Sequence, residues 1–299
     1  MKTALVTGAA GAIGRHVVRI LAARGWRVVG IGHGAAPEDA ALAGWAGGEI
    51  DAANLDSLGV PPDAVVHLAG GSVVSRSLSA PDEDFQRTVA TTGRLLDWLR
   101  LRAPEAALVL ASSAAVYGDV RQVPISEAAP CHPVSPYGQH KLMMESAAGQ
   151  SGLRSVSLRL FSVYGPGLRK QLVWELCNRL AHGERELQLG GTGEETRDWL
   201  HIGDAAAMLA DAIPAAVRGG VALNGCTGAG TSVAETARAI MRGFGVNAAL
   251  RFSGETRQGD PVHLVGDPAL SGALGLKPAV RATDGLEATA AATRRELQH

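Results

Sequence analysis

The chain has 299 residues, and its 28 basic against 29 acidic side chains leave a net charge of −1, so no basic face invites nucleic acid or an anionic membrane. Hydrophobic residues at 46% and charged residues at 19% describe an ordinary globular composition with ample core. Cys131, Cys177 and Cys226 are widely spaced without a CxxC, no metal-ligand cluster stands out, and no apolar run approaches the ~18–20 residues of a membrane span; together these fit a soluble cytoplasmic protein whose partners are small molecules or copies of itself.

The stretch Thr3–Gly25 organises the first half. Ala4-Leu5-Val6 is the short apolar run of a strand buried on both faces, and it stops at Thr7-Gly8. A helix follows, with Ile13, Val17, Ile20 and Leu21 on one face and Gly25 as its stop. Between them Gly8, Gly11 and Gly14 supply a tight turn, room for a pyrophosphate against bare backbone, and close helix–strand packing. The phosphates then meet the unpaired N–H groups of Ala12, Ile13 and Gly14 at the helix start.

A second apolar strand is expected at Arg27–Ile31, and residues 34–48 read as a Gly/Ala-rich loop with at most one helical turn. Pro61-Pro62-Asp63 is a turn before the apolar strand Ala64–Leu68, which runs into Ala69-Gly70. The spacing predicts one long helix over Asp82–Arg102, with Phe85, Val89, Leu95, Leu96 and Leu99 on its apolar side, then a buried strand over Ala107–Ala111. Strands alternating with helices predict right-handed crossovers and a parallel, doubly wound sheet.

That last strand leads into Ser112-Ser113-Ala114-Ala115-Val116-Tyr117-Gly118, and ligands of open parallel sheets bind beyond the carboxyl ends of the strands. Ser135-Pro136-Tyr137-Gly138-Gln139-His140-Lys141 then places Tyr137 and Lys141 four apart, on one face of a starting helix. A phenol with a pKa near ~10 is a poor base at neutral pH, and a neighbouring ammonium favours its phenolate. Ser113 is placed to donate to an oxygen that gains or loses a proton.

TGxxGxxG at Thr7–Gly14, the SSAAVYG segment and YGQHK together resemble the extended short-chain dehydrogenase/reductases, specifically the NAD-dependent epimerase/dehydratase family, and the resemblance runs from Thr3 to about Asp267. It implies a Rossmann-like α/β fold: a dinucleotide-binding domain over 1–161, to which the chain returns at about 196–215, and a smaller C-terminal substrate domain over 162–299. It also implies a nucleotide-diphosphate sugar as substrate and a homodimer through the helices at 82–102 and 137–150. Ser113, Tyr137 and Lys141 take the catalytic positions, with Lys141 also on the nicotinamide ribose. Glu49-Ile50 matches the pair that holds the adenine, and His67-Leu68-Ala69-Gly70 the segment beneath the cofactor. RLFSVYGPG at 159–167 puts Ser162 where the family has Asn beside the diphosphate, and Thr88 replaces a second family Asn. TRDWLHI brings Arg197, and Arg257-Gln258-Gly259-Asp260 a second Arg, to the sugar-nucleotide pyrophosphate; planar guanidinium forks bond phosphate oxygens in pairs. Asp198 and His201 read as structural.

Where NAD-specific members carry an acid on the ribose hydroxyls, this chain has Gly32 followed by His33, which leaves NADP allowed beside NAD. The dehydratases' Thr-Asp-Glu is Ser113-Ala114-Ala115 here, which argues against elimination. Two redox readings remain: a 4-epimerase working through a transient 4-keto sugar with NAD, which is favoured, and an NADPH-dependent 4-keto-sugar reductase. A silent dinucleotide sensor is the third reading, opposed by the presence of both Tyr137 and Lys141.

Overall fold

In the computed structural model, which describes residues 1–120, 122–255 and 262–298, the strands Gly44–Gly47, Arg27–Gly32, Thr3–Thr7, Ala64–His67, Ala107–Ser113, Arg154–Leu160 and Val221–Gly225 lie side by side in that order, all parallel. Val217–Arg218 adds a short antiparallel edge on Arg154 and Ser155. The order reverses between Thr3–Thr7 and Ala64–His67, and the crevice beyond that reversal is where a doubly wound sheet takes its ligand.

Alternate residues of the central strands face opposite layers, as the two-residue period requires. Ala4, Val6, Val28 and Val66 meet Val17, Val18 and Leu21 of helix Ala12–Ala23 and Ala205, Ala206 and Leu209 of helix Ile202–Asp211. Leu5, Val29, Val65 and Leu108 meet Leu95, Leu96 and Leu99 of helix Thr91–Arg102 and Met144 and Ala148 of helix Pro136–Gln150. Each such fully buried Leu or Val contributes on the order of 1.5–3 kcal/mol. A third core, built on Leu176, Trp199, Ile240, Phe244 and Leu286, joins helices Gln171–Ala181, Val233–Phe244 and Ala282–Leu297. Beside it Thr196–His201 pairs with Ser162–Tyr164, Gly230–Ser232 and His263–Leu264 in a small separate sheet. The helix Val233–Phe244 opens on a capping box of Ser232 and Glu235. No helix among the described residues is long and apolar enough to cross a membrane.

Two expectations need correction. Residues 34–48 are not loop throughout: Gly44–Gly47 is a strand in register with Val29–Gly32. Pairing to an already formed edge and packing of Trp45 against Gly30 and Gly32 override the low strand propensity of Gly-Trp-Ala-Gly. The predicted helix over 82–102 is three pieces, Pro81–Phe85, a π-helical turn Gln86–Ala90 and Thr91–Arg102, preceded by an unexpected short helix Val74–Ser79. The turn is widened where two threonine hydroxyls donate to backbone carbonyls, Thr91 Oγ1 to Gln86 O at 3.0 Å and Thr92 Oγ1 to Thr88 O at 2.7 Å.

Candidate active site

One cleft of about 1880 Å³ opens at the sheet's reversal and runs toward the third core. A single-ligand pocket spans ~300–1,000 Å³, so this one has room for two substantial molecules. Gly8, Gly11, Ala12, Ile13, Gly14, Gly32, His33, Glu49, Ile50, Leu68, Ala69 and Gly70 all line it, as do Ser113, Tyr137, Lys141, Ser162 and Arg197. Arg257, the last of the sequence-derived candidates, lies outside the described residues.

At the cofactor end Gly8 turns the chain at φ 66°. A Cβ on Gly14 would stand 2.2 Å from Gly8 O, so the helix sits directly on the loop. Gly11 caps that helix without any side-chain bond, and its first turn holds no acid. Its amide dipoles therefore meet the cleft bare, a fit for a pyrophosphate. Farther out, Glu49 stands 3.9 Å from His33 Nε2 and 3.6 Å from Arg94 Nη2, while Arg94 Nε donates to Ile50 O at 2.8 Å. A carboxylate thus lines this end of the cleft at residue 49, and none stands at the end of the Arg27–Gly32 strand.

Beneath the middle of the cleft runs a buried chain of hydrogen bonds. Thr7 Oγ1 accepts from the amides of Leu68 and Ala69 and contacts His67 Nδ1 at 2.7 Å. His67 Nε2 meets Thr92 Oγ1 at 3.0 Å, Thr92 donates to Thr88 O, and Thr88 Oγ1 accepts from Gly71 N at 2.8 Å. Thr88 therefore organises the loop at Gly70-Gly71 with a hydroxyl.

The reacting end is assembled from two elements. Strand Ala107–Ser113 delivers Ser113, whose Oγ accepts from Ala115 N at 3.2 Å. Helix Pro136–Gln150 is set by Ser135, which caps it through Gly138 N, and by Pro136 at its first position. Tyr137 N donates to Ser77 Oγ at 3.0 Å, and its phenol lies in hydrogen-bond reach of Ser113. Lys141 Nζ donates to Ala111 O at 2.9 Å and stands 5.8 Å from the Tyr137 ring centroid. Burial pushes the Tyr137 phenol up, partly offset by the Ser113 hydrogen bond, with Asp84 adding to the rise. Burial brings the Lys141 ammonium down to about 8, against the opposing pull of Asp84. Desolvation, the largest influence on the phenol, thus works against the phenolate that a neighbouring ammonium favours.

Several contributors were not legible. Asp84 and His140 of helix Pro136–Gln150 form a buried pair at 2.7 Å, and Asp84 crowds the place a Gly71 side chain would need. Their residue types are plain in the sequence, but nothing there pairs positions 56 apart. One turn past Lys141, Glu145 holds Arg159 at 2.8 Å and accepts from Ser112; Arg159 reaches Tyr117 OH, which donates to Asn224. Tyr117 is thus packing. Asp198 is structural too: it accepts from Thr227 and from the amides of Gly228 and Gly266. At the far end Arg197, on the central strand of the small sheet, lines the cleft, and its Nη1 donates to Thr196 O at 3.0 Å.

The model of the NAD dependent epimerase/dehydratase family matches residues 4–224. The chain belongs to this family. As a member it is an enzyme of the extended short-chain dehydrogenase/reductase type. Among the similar proteins, a UDP-glucose 4-epimerase of Azospirillum brasilense is 34% identical over 98% of this chain and 92% of that protein. The solved structure of MoeE5 in complex with UDP-glucuronic acid and NAD superposes with a TM-score of 0.88 at 30% identity, covering 98% of this chain and 99% of that one. The UDP-glucose 4-epimerase of Thermus thermophilus in complex with NAD gives 0.84 at 29% identity, over 96% and 97% of the two chains.

Proposed function

We propose that this epimerase/dehydratase-family member interconverts the C4 epimers of a UDP-sugar, using NAD. The observation that carries the reading is the cleft itself: bare helix N–H groups at one end, Ser113, Tyr137 and Lys141 in the middle, and Arg197 farther on. No acid stands at positions 114 and 115, so the group an elimination needs is missing from the segment that would present it.

Gly8, Gly11 and the start of helix Ala12–Ala23 hold the dinucleotide's pyrophosphate, Glu49 and Ile50 its adenosine part, and Lys141 the inner ribose. NAD, when bound there, would supply reversible hydride acceptance. Tyr137 takes the proton from the 4-hydroxyl and gives it back, and Ser113 donates to that oxygen as its charge changes. Arg197 and Arg257 grip the substrate's pyrophosphate, with Ser162 beside it. The sugar must present both faces in turn, which asks for a wide cleft. Residues 1–161 and 196–215 carry the dinucleotide and 162–299 most of the sugar nucleotide; the enzyme works in the cytoplasm as a homodimer through helices Thr91–Arg102 and Pro136–Gln150.

The test is conversion of UDP-glucose or UDP-glucuronate to its C4 epimer, followed by proton NMR. Tyr137→Phe is expected to lose roughly 10²–10⁴ in turnover while purified protein still releases NAD on denaturation. The second reading, a keto-sugar reductase, is favoured by the absence of a carboxylate at Gly32; NADP(H) in place of NAD(H) in the released fraction would select it.

A further inference from the structure

Lys170 has a charge that nothing in the described protein answers. It is the residue before helix Gln171–Ala181, half-buried, and it lines the cleft. Its ammonium donates to Ser72 O at 3.2 Å. Among the described residues no carboxylate lies within ion-pair distance of it, and burial alone brings its pKa down. Lys170 is also close enough to Lys141 to help lower the proton affinity of that ammonium.

The acids that line the cleft are occupied elsewhere. Glu49 sits between His33 and Arg94, Asp51 caps the turn at Asn54, Glu175 faces Arg179, and Glu195 accepts from the amides of Thr192 and Gly193. Asp84 and Glu145, which act on Lys141 from behind the cleft, are held by His140 and Arg159, so no acid is left over for Lys170. A half-buried ammonium with no anion is costly, and a ligand that supplies one recovers that cost. A neutral hexose has nothing of the kind to offer at that end.

The backbone supports the placement. Gln171 has φ 67°, the one positive φ at a non-glycine among the described residues. Such strain persists where the surroundings hold it, commonly at ligand sites, and here it sits in the turn that brings Lys170 to the cleft.

We propose that Lys170 is the counter-ion for a carboxylate carried by the sugar, so that the preferred substrates of this enzyme are nucleotide-diphosphate uronic acids. The proposal rests on reading the cleft as a sugar-nucleotide site, and it names which sugars.

The test is calorimetric titration of the NAD-loaded protein with UDP-glucuronate, UDP-glucose and UDP, for the natural chain, Lys170→Gln and Lys170→Arg. A charge-assisted bond of the kind inferred corresponds to roughly a 10- to 100-fold preference for the uronate over UDP-glucose. Lys170→Gln should collapse that ratio toward one, and Lys170→Arg should keep most of it. Equal affinity of the natural chain for the two sugars overturns the proposal. So does a loss in Lys170→Gln shared equally by UDP, which would put the ammonium on the diphosphate. Because binding is the readout, a uronate preference without epimerisation sinks the reaction assigned above and leaves the carboxylate site standing.

Discussion

His67 has one protonation state that satisfies all its neighbours. Thr92 spends its hydroxyl proton on Thr88 O, so it must accept from His67 Nε2–H; Nδ1 is then bare and accepts from Thr7. The ring is neutral, and burial drives its pKa down from 6.5 to about 3, with Lys141 adding to the fall. An unfolded histidine takes up a proton below about 6.5 that the folded one refuses, so stability is intact above 6.5 and is lost as pH falls toward 3. That loss runs at up to about 1.4 kcal/mol per pH unit. Urea midpoints measured from pH 7 to pH 4 should fall accordingly, and His67→Gln should flatten the slope whatever it does to the midpoint at pH 7. Thr88 makes a second case. Thr88→Val removes the acceptor of the Gly71 amide at nearly constant shape and should cost about 1–3 kcal/mol, read by equilibrium unfolding, with Thr88→Ser closer to the natural chain. The sequence placed Thr88 only as a departure from the family's Asn; that a hydroxyl does the positioning is visible once the π-turn aims it at Gly71.

Among the elements, helix Ala12–Ala23 was fully readable because its signals are local: apolar spacing, the glycines before it and Gly25 after it at φ 80°. Gly14→Ala tests its seat on the loop. The added methyl meets Gly8 O and the Ala9 backbone, neither of which can move freely. The variant should lose NAD affinity and roughly 1–3 kcal/mol of stability; calorimetric titration and a urea midpoint check both. The strand Gly44–Gly47 was invisible for the opposite reason. It has no β-branched residue and exists because a finished strand edge at Val29–Gly32 accepts it. The outer bounds of this helical stretch, expected at 82 and 102 and found at 81 and 102, were legible from apolar spacing, whereas the π-turn depends on threonines choosing carbonyls that only the folded chain presents.

For the molecule as a whole, the sequence yielded the lining of the cleft because each contributing motif is short and self-contained. It did not yield the couplings between motifs, such as Asp84 with His140 or Glu49 with Arg94, since these join elements that only the fold brings together. The buried pair of Arg159 and Glu145, with side chains 7% and 9% exposed, binds the sheet to helix Pro136–Gln150. Glu145→Ala leaves a buried guanidinium unpaired and should cost about 3–5 kcal/mol; thermal unfolding and Tyr137-dependent turnover should fall together. One further consequence lies in the strand order. The strand that covers Arg154–Leu160 is Val221–Gly225, about sixty residues later in the chain. At ~5–20 residues per second of synthesis, a growing chain holds an apolar, hydrogen-bond-hungry border open on the ribosome for several seconds. Slow codons or truncation between those two points would expose that border longer, and aggregation of nascent product, more than loss of catalysis, is how such defects would first be noticed.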